Sequence, residues 1–189
     1  MAQHPIPNRP THLDWFAAFL SYLVPGLGQV YQKRYTKGIL FFFALHVLFF
    51  YGMWMGSWKN VYLPSTDVKR NSFFYWNQTL GDIENRPHFA GQFWIGVAAW
   101  PAIIQYATFE PGMDKKHAVL GTWEREPPES VLNDKQRDGD KRWDLGWVYT
   151  VIAGVLNILV IYDALAGPAF RDPKEAAAAA TQQQVAVAS

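Results

Sequence analysis

The chain has no cysteine. Disulfides, thiolate nucleophiles and Cys-ligated zinc or iron–sulfur centres are thereby excluded. An excess of either charge is also missing: 17 Lys and Arg stand against 16 Asp and Glu, for a formal net charge of +1. Without a global basic field, nucleic acid is not an expected partner. His4, His12, His46, His88 and His117 are scattered, with no His-x-x-x-His or His-x-x-Glu-His spacing, so no metal and no cofactor is expected. No Gly-x-Ser-x-Gly or Ser-x-x-Lys marks a nucleophile, and Gly26-x-Gly28 lacks the third glycine and the preceding strand of a nucleotide loop. A secretory pattern is lacking too: Arg9 is the sole early cation, in a proline-punctuated stretch.

What the chain does have is apolar length. Half of it is hydrophobic and 16% is aromatic, yet mean hydropathy is only −0.10. Apolar runs therefore alternate with polar connectors. Gly38 to Gly56 is nineteen residues without a formal charge. At ~1.5 Å per residue, roughly 20 such residues cross a ~30 Å hydrocarbon core. Leu13 to Tyr31 is another nineteen, interrupted by Pro25-Gly26, and reads as a kinked spanning helix, with re-entry as the alternative. Phe89 to Thr108 is apolar but carries Gln92, Pro101 and Gln105. Leu145 to Tyr162 is eighteen residues with Asn157 as its one strongly polar member, and Gly167-Pro168 follows.

These runs predict an all-α integral membrane helical bundle. Three firm transmembrane helices are expected over 38–56, 89–108 and 145–166, and a kinked or re-entrant N-terminal helix over 13–31 makes four. One membrane domain spans 13–168. Residues 1–12 form an irregular arm, and the Ala- and Gln-rich tail at 169–189 reads as disordered. The 57–88 connector carries an aromatic patch at Phe73–Trp76. The mixed charges of 109–143, with a Pro127-Pro128 break, read as a solvated loop. Trp15, Trp54, Trp58, Trp94, Trp143 and Trp147 fall near expected helix ends, as an interfacial belt would.

Orientation follows from Lys and Arg in the connectors. The 32–37 turn holds three and the 109–143 loop seven, against four in 57–88 and two in the tail. The expectation is a cytoplasmic 32–37 turn and 109–143 loop, with the 57–88 connector and the C-terminus exterior.

The clearest motif is Pro25-Gly26-Leu27-Gly28-Gln29-x-Tyr31, followed by Lys37-Gly38. Its glycines allow close backbone approach, and Pro25 leaves a carbonyl unpaired that Gln29 and Tyr31 are placed to satisfy. Lys37 sits where it reaches lipid phosphates. The bland reading, favoured here, is a hairpin turn that needs small residues to pack. With Leu20-Ser21 before it and Arg34-Tyr35 before Lys37-Gly38, the segment resembles the helical-hairpin domain of small bacterial inner-membrane proteins. The last run, Tyr149 to Ala164, is similar to the final helix of one uncharacterised family in that group. The resemblance implies a small multi-pass protein of the bacterial inner membrane; it implies no activity, cofactor or catalytic residues.

The polar residues within or at the runs are His46, Gln105, Asn157 and Asp163. Burying such groups unpaired costs a few kcal/mol each, so they are expected to meet one another or backbone. His46 and Asn157 both lie mid-run, which makes a contact between them plausible. Gly52-x-x-x-Gly56 and Ala98-x-x-x-Ala102 are small-residue pairs suited to close helix packing, within the chain or in a homo-oligomer. The expected role is non-enzymatic: an accessory or scaffold component of a bacterial inner-membrane assembly, in contact with lipid and with a membrane protein partner or its own copies. The alternative is a small transporter or ion- or proton-conducting protein that uses His46, Asn157 and Asp163.

Overall fold

The computed structural model describes residues 13–63, 83–84, 86–108, 120–121, 123–137 and 141–167. The expectations for the 1–12 arm, the Phe73–Trp76 patch and the 169–189 tail lie outside the described residues. Every element described is helical. Two long helices form the frame, α3 at Tyr35–Met55 and α7 at Lys141–Ala166. They cover residues 38–55 and 145–166 of the expected runs, with Gly56 as the C-cap of α3, and extend them at their N-terminal ends.

The two run antiparallel. Arg34, which precedes α3, pairs with Asp163 near the end of α7, while Arg142 at the start of α7 lies over Trp54 near the end of α3. Glycine makes their contact close. A Cβ on Gly52 would stand 2.8 Å from the Gly146 carbonyl oxygen, and one on Gly146 would stand 2.6 Å from that of Gly52. The Gly52-x-x-x-Gly56 pair thus packs within the chain, as small residues at a helix crossing do.

The 13–31 run does not cross. α1 (Trp15–Leu23) ends at Val24, and α2 (Leu27–Tyr31) returns beside it. Gly26 makes the reversal at φ 88°, a conformation open to glycine. Gly28 then lies against the Ala17 carbonyl, and the Phe16 and Tyr31 rings stand 5.1 Å apart. The ends meet: Gln32 Nε2 donates to Asp14 Oδ2 at 3.1 Å. A helix that spanned would hold these ends ~25 Å or more apart. The kinked spanning helix is therefore corrected to a helical hairpin that turns back at Pro25-Gly26, the shape of the re-entrant alternative.

The 89–108 run is also broken. α4 (Pro87–Gln92) passes through a 3₁₀ segment (Phe93–Ala99) into α5 (Trp100–Thr108). Gly96 at φ 81°, ψ −134° reverses the chain between them. Both limbs are tied to one end of the frame. Before α4, Arg86 donates to the Asn60 carbonyl, just beyond α3. On α5, Gln105 Nε2 donates to the Trp123 carbonyl at 3.0 Å, and the Trp123 ring lies against Trp58 at 5.1 Å. This stretch is thus a second hairpin and not the straight helix expected over 89–108.

The hairpins enter from opposite ends and their tips touch. Gly96 packs on the carbonyl oxygens of Tyr22 and Leu23. Asn157, midway along α7, binds both tips: its Nδ2 donates to Ser21 O at 3.1 Å and to Trp94 O at 2.8 Å. Trp94 therefore stands at a hairpin tip, not in an end belt. The apolar core runs alongside, through Leu45, Phe49 and Met53 of α3 and Phe89, Ile95 and Ala102 of the second hairpin.

The 32–37 turn and the end of α7 share one end of the frame, and Lys141 opens α7 at the other. The expectation set the turn with the 109–143 loop and apart from the C-terminus; the frame instead sets the turn beside the end of α7 and opposite its start. Part of that loop is helical: α6 (Glu129–Arg137) follows Pro127-Pro128, prolines being accepted just before a first helical turn.

Candidate functional site

A polar clasp closes the α1–α2 hairpin onto the end of α7. Its logic begins with the last carbonyls of α7, which have no intrahelical donors. Gln32 Nε2 donates to Ala164 O at 2.6 Å, Arg34 Nη1 to Asp163 O at 3.2 Å, and the Asp14 N–H to Leu165 O at 3.0 Å. Asp14 also caps α1, its Oδ1 accepting from the Ala17 N–H at 3.0 Å. The turn between the motif's halves thus serves as a C-terminal cap for a helix more than 100 residues away in sequence.

Asp163 is the centre. Arg34 Nη2 reaches its carboxylate at 2.7 and 2.8 Å, Gln29 Nε2 donates to it at 3.2 Å, and Lys37 Nζ stands 3.9 Å away. A cation beside a helix C-terminus is favoured by the helix dipole as well. Gln29 is fully buried and saturated: its amide nitrogen also donates to Val160 O at 2.8 Å, and its oxygen accepts from Ser21 Oγ at 3.0 Å. Ser21 Oγ in turn accepts from the Gly28 N–H at 3.2 Å. Gly28 must be small, because a Cβ there would meet Ala17 O and Ser21 Oγ.

The motif residues fall as follows. Pro25 is buried at the hairpin tip with Gly26, whose Cβ position is occupied by the Gly38 carbonyl. Gly38 abuts Val30 and Gly26. Gln29 and Lys37 join Asp163 in the clasp. Tyr31 is exposed and makes its contact edge-on to Phe16; it does not fill the bonding role expected of it.

The other polar residues separate. His46 Nδ1 is 2.8 Å from Phe42 O in its own helix, and its ring lies against Phe42 at 4.4 Å. The expected contact with Asn157 is not made. Gln105 bonds the backbone of the 121–123 segment. Close by, Glu124 Oε2 accepts from the Ala102 N–H at 3.0 Å, in the first turn of α5. Burial pushes its carboxyl up from 4.5 to about 8. Among the described residues, no group of three or more His, Asp or Glu is placed to hold a metal ion.

Sequence reasoning missed Asp14, Ser21, Gln32 and Arg34 as clasp members. The signal for Arg34 was available: it stands three residues before Lys37, where a two-helix topology places both beside Asp163. It also missed a second polar cluster of Asn60, Arg86, Gln92, Trp147 and Thr150 at the opposite end, where Gln92 Nε2 donates to Thr150 Oγ1 at 2.8 Å. An arginine directly before Pro87 was its one hint.

Two apolar helices braced by interlocked hairpins and a polar clasp define an all-helical protein with two helices long and apolar enough to cross a membrane. Within that class, the chain belongs to the family of unknown function DUF6677, which it matches over residues 16–177. No curated protein and no solved structure matches it.

Proposed function

We propose that this is an integral membrane protein in which α3 and α7 span the bilayer, the hairpins enter from opposite faces without crossing, and the whole acts without chemistry of its own. Its role is that of a scaffold or accessory component of a bacterial inner-membrane assembly, in keeping with the resemblance carried by the hairpin motif.

The observation that carries the reading is apolar length combined with exposure. The most apolar windows of α3 and α7 are only 28% and 33% buried, whereas a core helix of a soluble protein is mostly buried. Phe43, Val47 and Trp54 of α3 and Leu145, Val148, Leu159 and Tyr162 of α7 are exposed. Lipid or a partner helix covers such faces; water does not. The hairpins suit a bilayer as well. Non-helical backbone at membrane depth is tolerated where protein buries it, and Asn157 supplies the donors that the two tips need.

Scaffolding is favoured over conduction by where the polar groups point. Asn157, Gln29, Ser21 and Gln92 bond backbone and one another across element contacts, as interhelical bonds do. One observation favours the second reading, a small transporter: broken helices meeting at mid-depth are the framework in which transporters build substrate sites. Yet His46 lies outside the hairpin contact, on the aromatic face of α3.

The test is a mild-detergent pull-down of the tagged full chain, with mass spectrometry of what co-purifies. The expected result is a reproducible stoichiometric membrane partner, retained in His46→Leu. A clean monomer or homo-oligomer, or a cellular phenotype lost on His46→Leu with folding intact, would move the assignment to transport.

A further inference from the structure

Six buried side-chain polar atoms among the described residues have no hydrogen-bond partner, and four belong to one cluster: Asn60 Oδ1, Arg86 Nε, Gln92 Oε1 and Trp147 Nε1. The four residues are linked in space, Gln92 to Asn60, Asn60 to Arg86 and Arg86 to Trp147. Arg86 Nη2 and Gln92 Nε2 each donate to Asn60 O at 3.2 Å, and Arg86 stacks between the Tyr62 and Trp147 rings at 3.1 and 4.1 Å. Native proteins leave few such atoms unpaired, and a group of them marks a missing water, ion or ligand.

The group is not an artefact of amide orientation. Asn60 Nδ2 faces Gly52 O, and Gln92 Nε2 faces Asn60 O. Both targets are carbonyls, which only accept, so each nitrogen is fixed and each oxygen is turned away.

Charge points to the class of ligand. Arg86 is 5% exposed, and its Nε has no hydrogen-bond partner. Burial pushes the guanidinium down to about 9, against an opposing pull from the Glu126 charge, so it is still a cation at neutral pH. The ring faces cover it above and below. Its in-plane N–H edge, the edge that binds oxyanions in bidentate fashion, is left incomplete. Trp147 Nε1 adds a second donor, and the two amide oxygens call for a donor on the ligand itself.

We infer that Arg86 and Trp147 hold a phosphate oxyanion whose own hydroxyl groups donate to the side-chain oxygens of Asn60 and Gln92. A phosphoglycerol lipid headgroup and free dihydrogen phosphate share this chemistry. The inference that lipid supplies it rests on the membrane reading above: the cluster stands level with the starts of α4 and α7, where Trp54 and Trp58 also stand, and headgroups occupy that level. The exposed His88 ring, edge-on to Trp147 at 4.3 Å, places the cluster one side chain from the surface.

The test uses the full chain in non-ionic micelles, free of phosphate buffer. Thermal midpoints and native mass spectrometry are recorded with phosphatidylglycerol, with phosphatidylcholine and with inorganic phosphate. Trp147→Phe keeps the ring stack and removes one donor; Arg86→Gln removes the charge. A midpoint rise and retained lipid with phosphatidylglycerol, absent with phosphatidylcholine, support the lipid source. A rise with inorganic phosphate alone supports the oxyanion site and assigns it a soluble ligand. In either case Trp147→Phe, folded by circular dichroism, should bind about tenfold more weakly, the loss expected for one bond to a charged group. No shift with either phosphate, equal shifts with both lipids, or unchanged binding in both variants would overturn the site. A chain that stays dispersed without detergent yet binds phosphate would overturn the membrane reading alone.

Discussion

The Arg34–Asp163 pair gives the clasp a measurable strength. Arg34 Nη2 meets both carboxylate oxygens, at 2.7 and 2.8 Å, and the side chains are 17% and 31% exposed. Exposed pairs contribute ~0–1 kcal/mol, while removing one partner of a buried pair costs ~3–5 kcal/mol. This pair lies between, and its gross attraction of about 4 kcal/mol at ~4 Å in a medium of effective dielectric ~20 is offset by partial desolvation. We expect a coupling of roughly 2 kcal/mol from the Asp163→Asn, Arg34→Gln double-mutant cycle, most of it retained at high salt because contact pairs sheltered from water are screened weakly. Arg34→Gln should be the more harmful single change, since it also loses the bonds to Asp163 O and Gln32. The assay is reversible unfolding in mixed micelles, followed by tryptophan fluorescence. A coupling below about 0.5 kcal/mol would refute the clasp, because it would make the pair an ordinary surface contact.

Gly96→Ala should destabilise by at least ~2–3 kcal/mol in the same assay, from left-handed strain and from collision with Tyr22 O and Leu23 O. Gly121→Ala, also at positive φ but with nothing within 4 Å, should cost only ~1 kcal/mol; equal losses would mean that the hairpin tips do not pack as described. Glu124 has its folded-state carboxyl raised from 4.5 to about 8, so stability falls as pH climbs through that window and is level above it. Glu124→Gln keeps an acceptor for Ala102, should be more stable by roughly 3 kcal/mol at pH 7, and should flatten thermal midpoints between pH 4.5 and 8; a parent slope of the opposite sign would contradict the burial of an acid there. In sealed vesicles, single cysteines at Thr36 and Lys141 should react with an impermeant maleimide from opposite sides. Reaction from the same side would restore the parallel placement of the 32–37 turn and the 109–143 loop.

Much of this protein is written in local sequence. The uncharged run from Gly38 to Gly56 and the run from Leu145 to Tyr162 dictate two long helices, because length and apolarity are properties of contiguous residues. Pro25-Gly26 marks a break for the same reason: proline removes a donor and glycine admits positive φ, whatever surrounds them. The motif is likewise visible as a set of residue types. Tertiary structure alone decided what the breaks do. A proline and glycine kink a helix or reverse it according to which carbonyls find donors elsewhere: Asn157 of α7 donates to both hairpin tips, and Gln29 and Gln32 donate to α7 carbonyls from 100 and more residues away. Gly96 gave no such local warning, since a lone glycine in an apolar run is compatible with a straight helix. The counts of Lys and Arg rest on how many runs are straight, and both hairpins turn back. The partners of Asp163 could not be read locally, because Gln29, Arg34 and Lys37 share no sequence neighbourhood with it. The antiparallel approach of α3 and α7, made close by Gly52 against Gly146, brings them to one carboxylate.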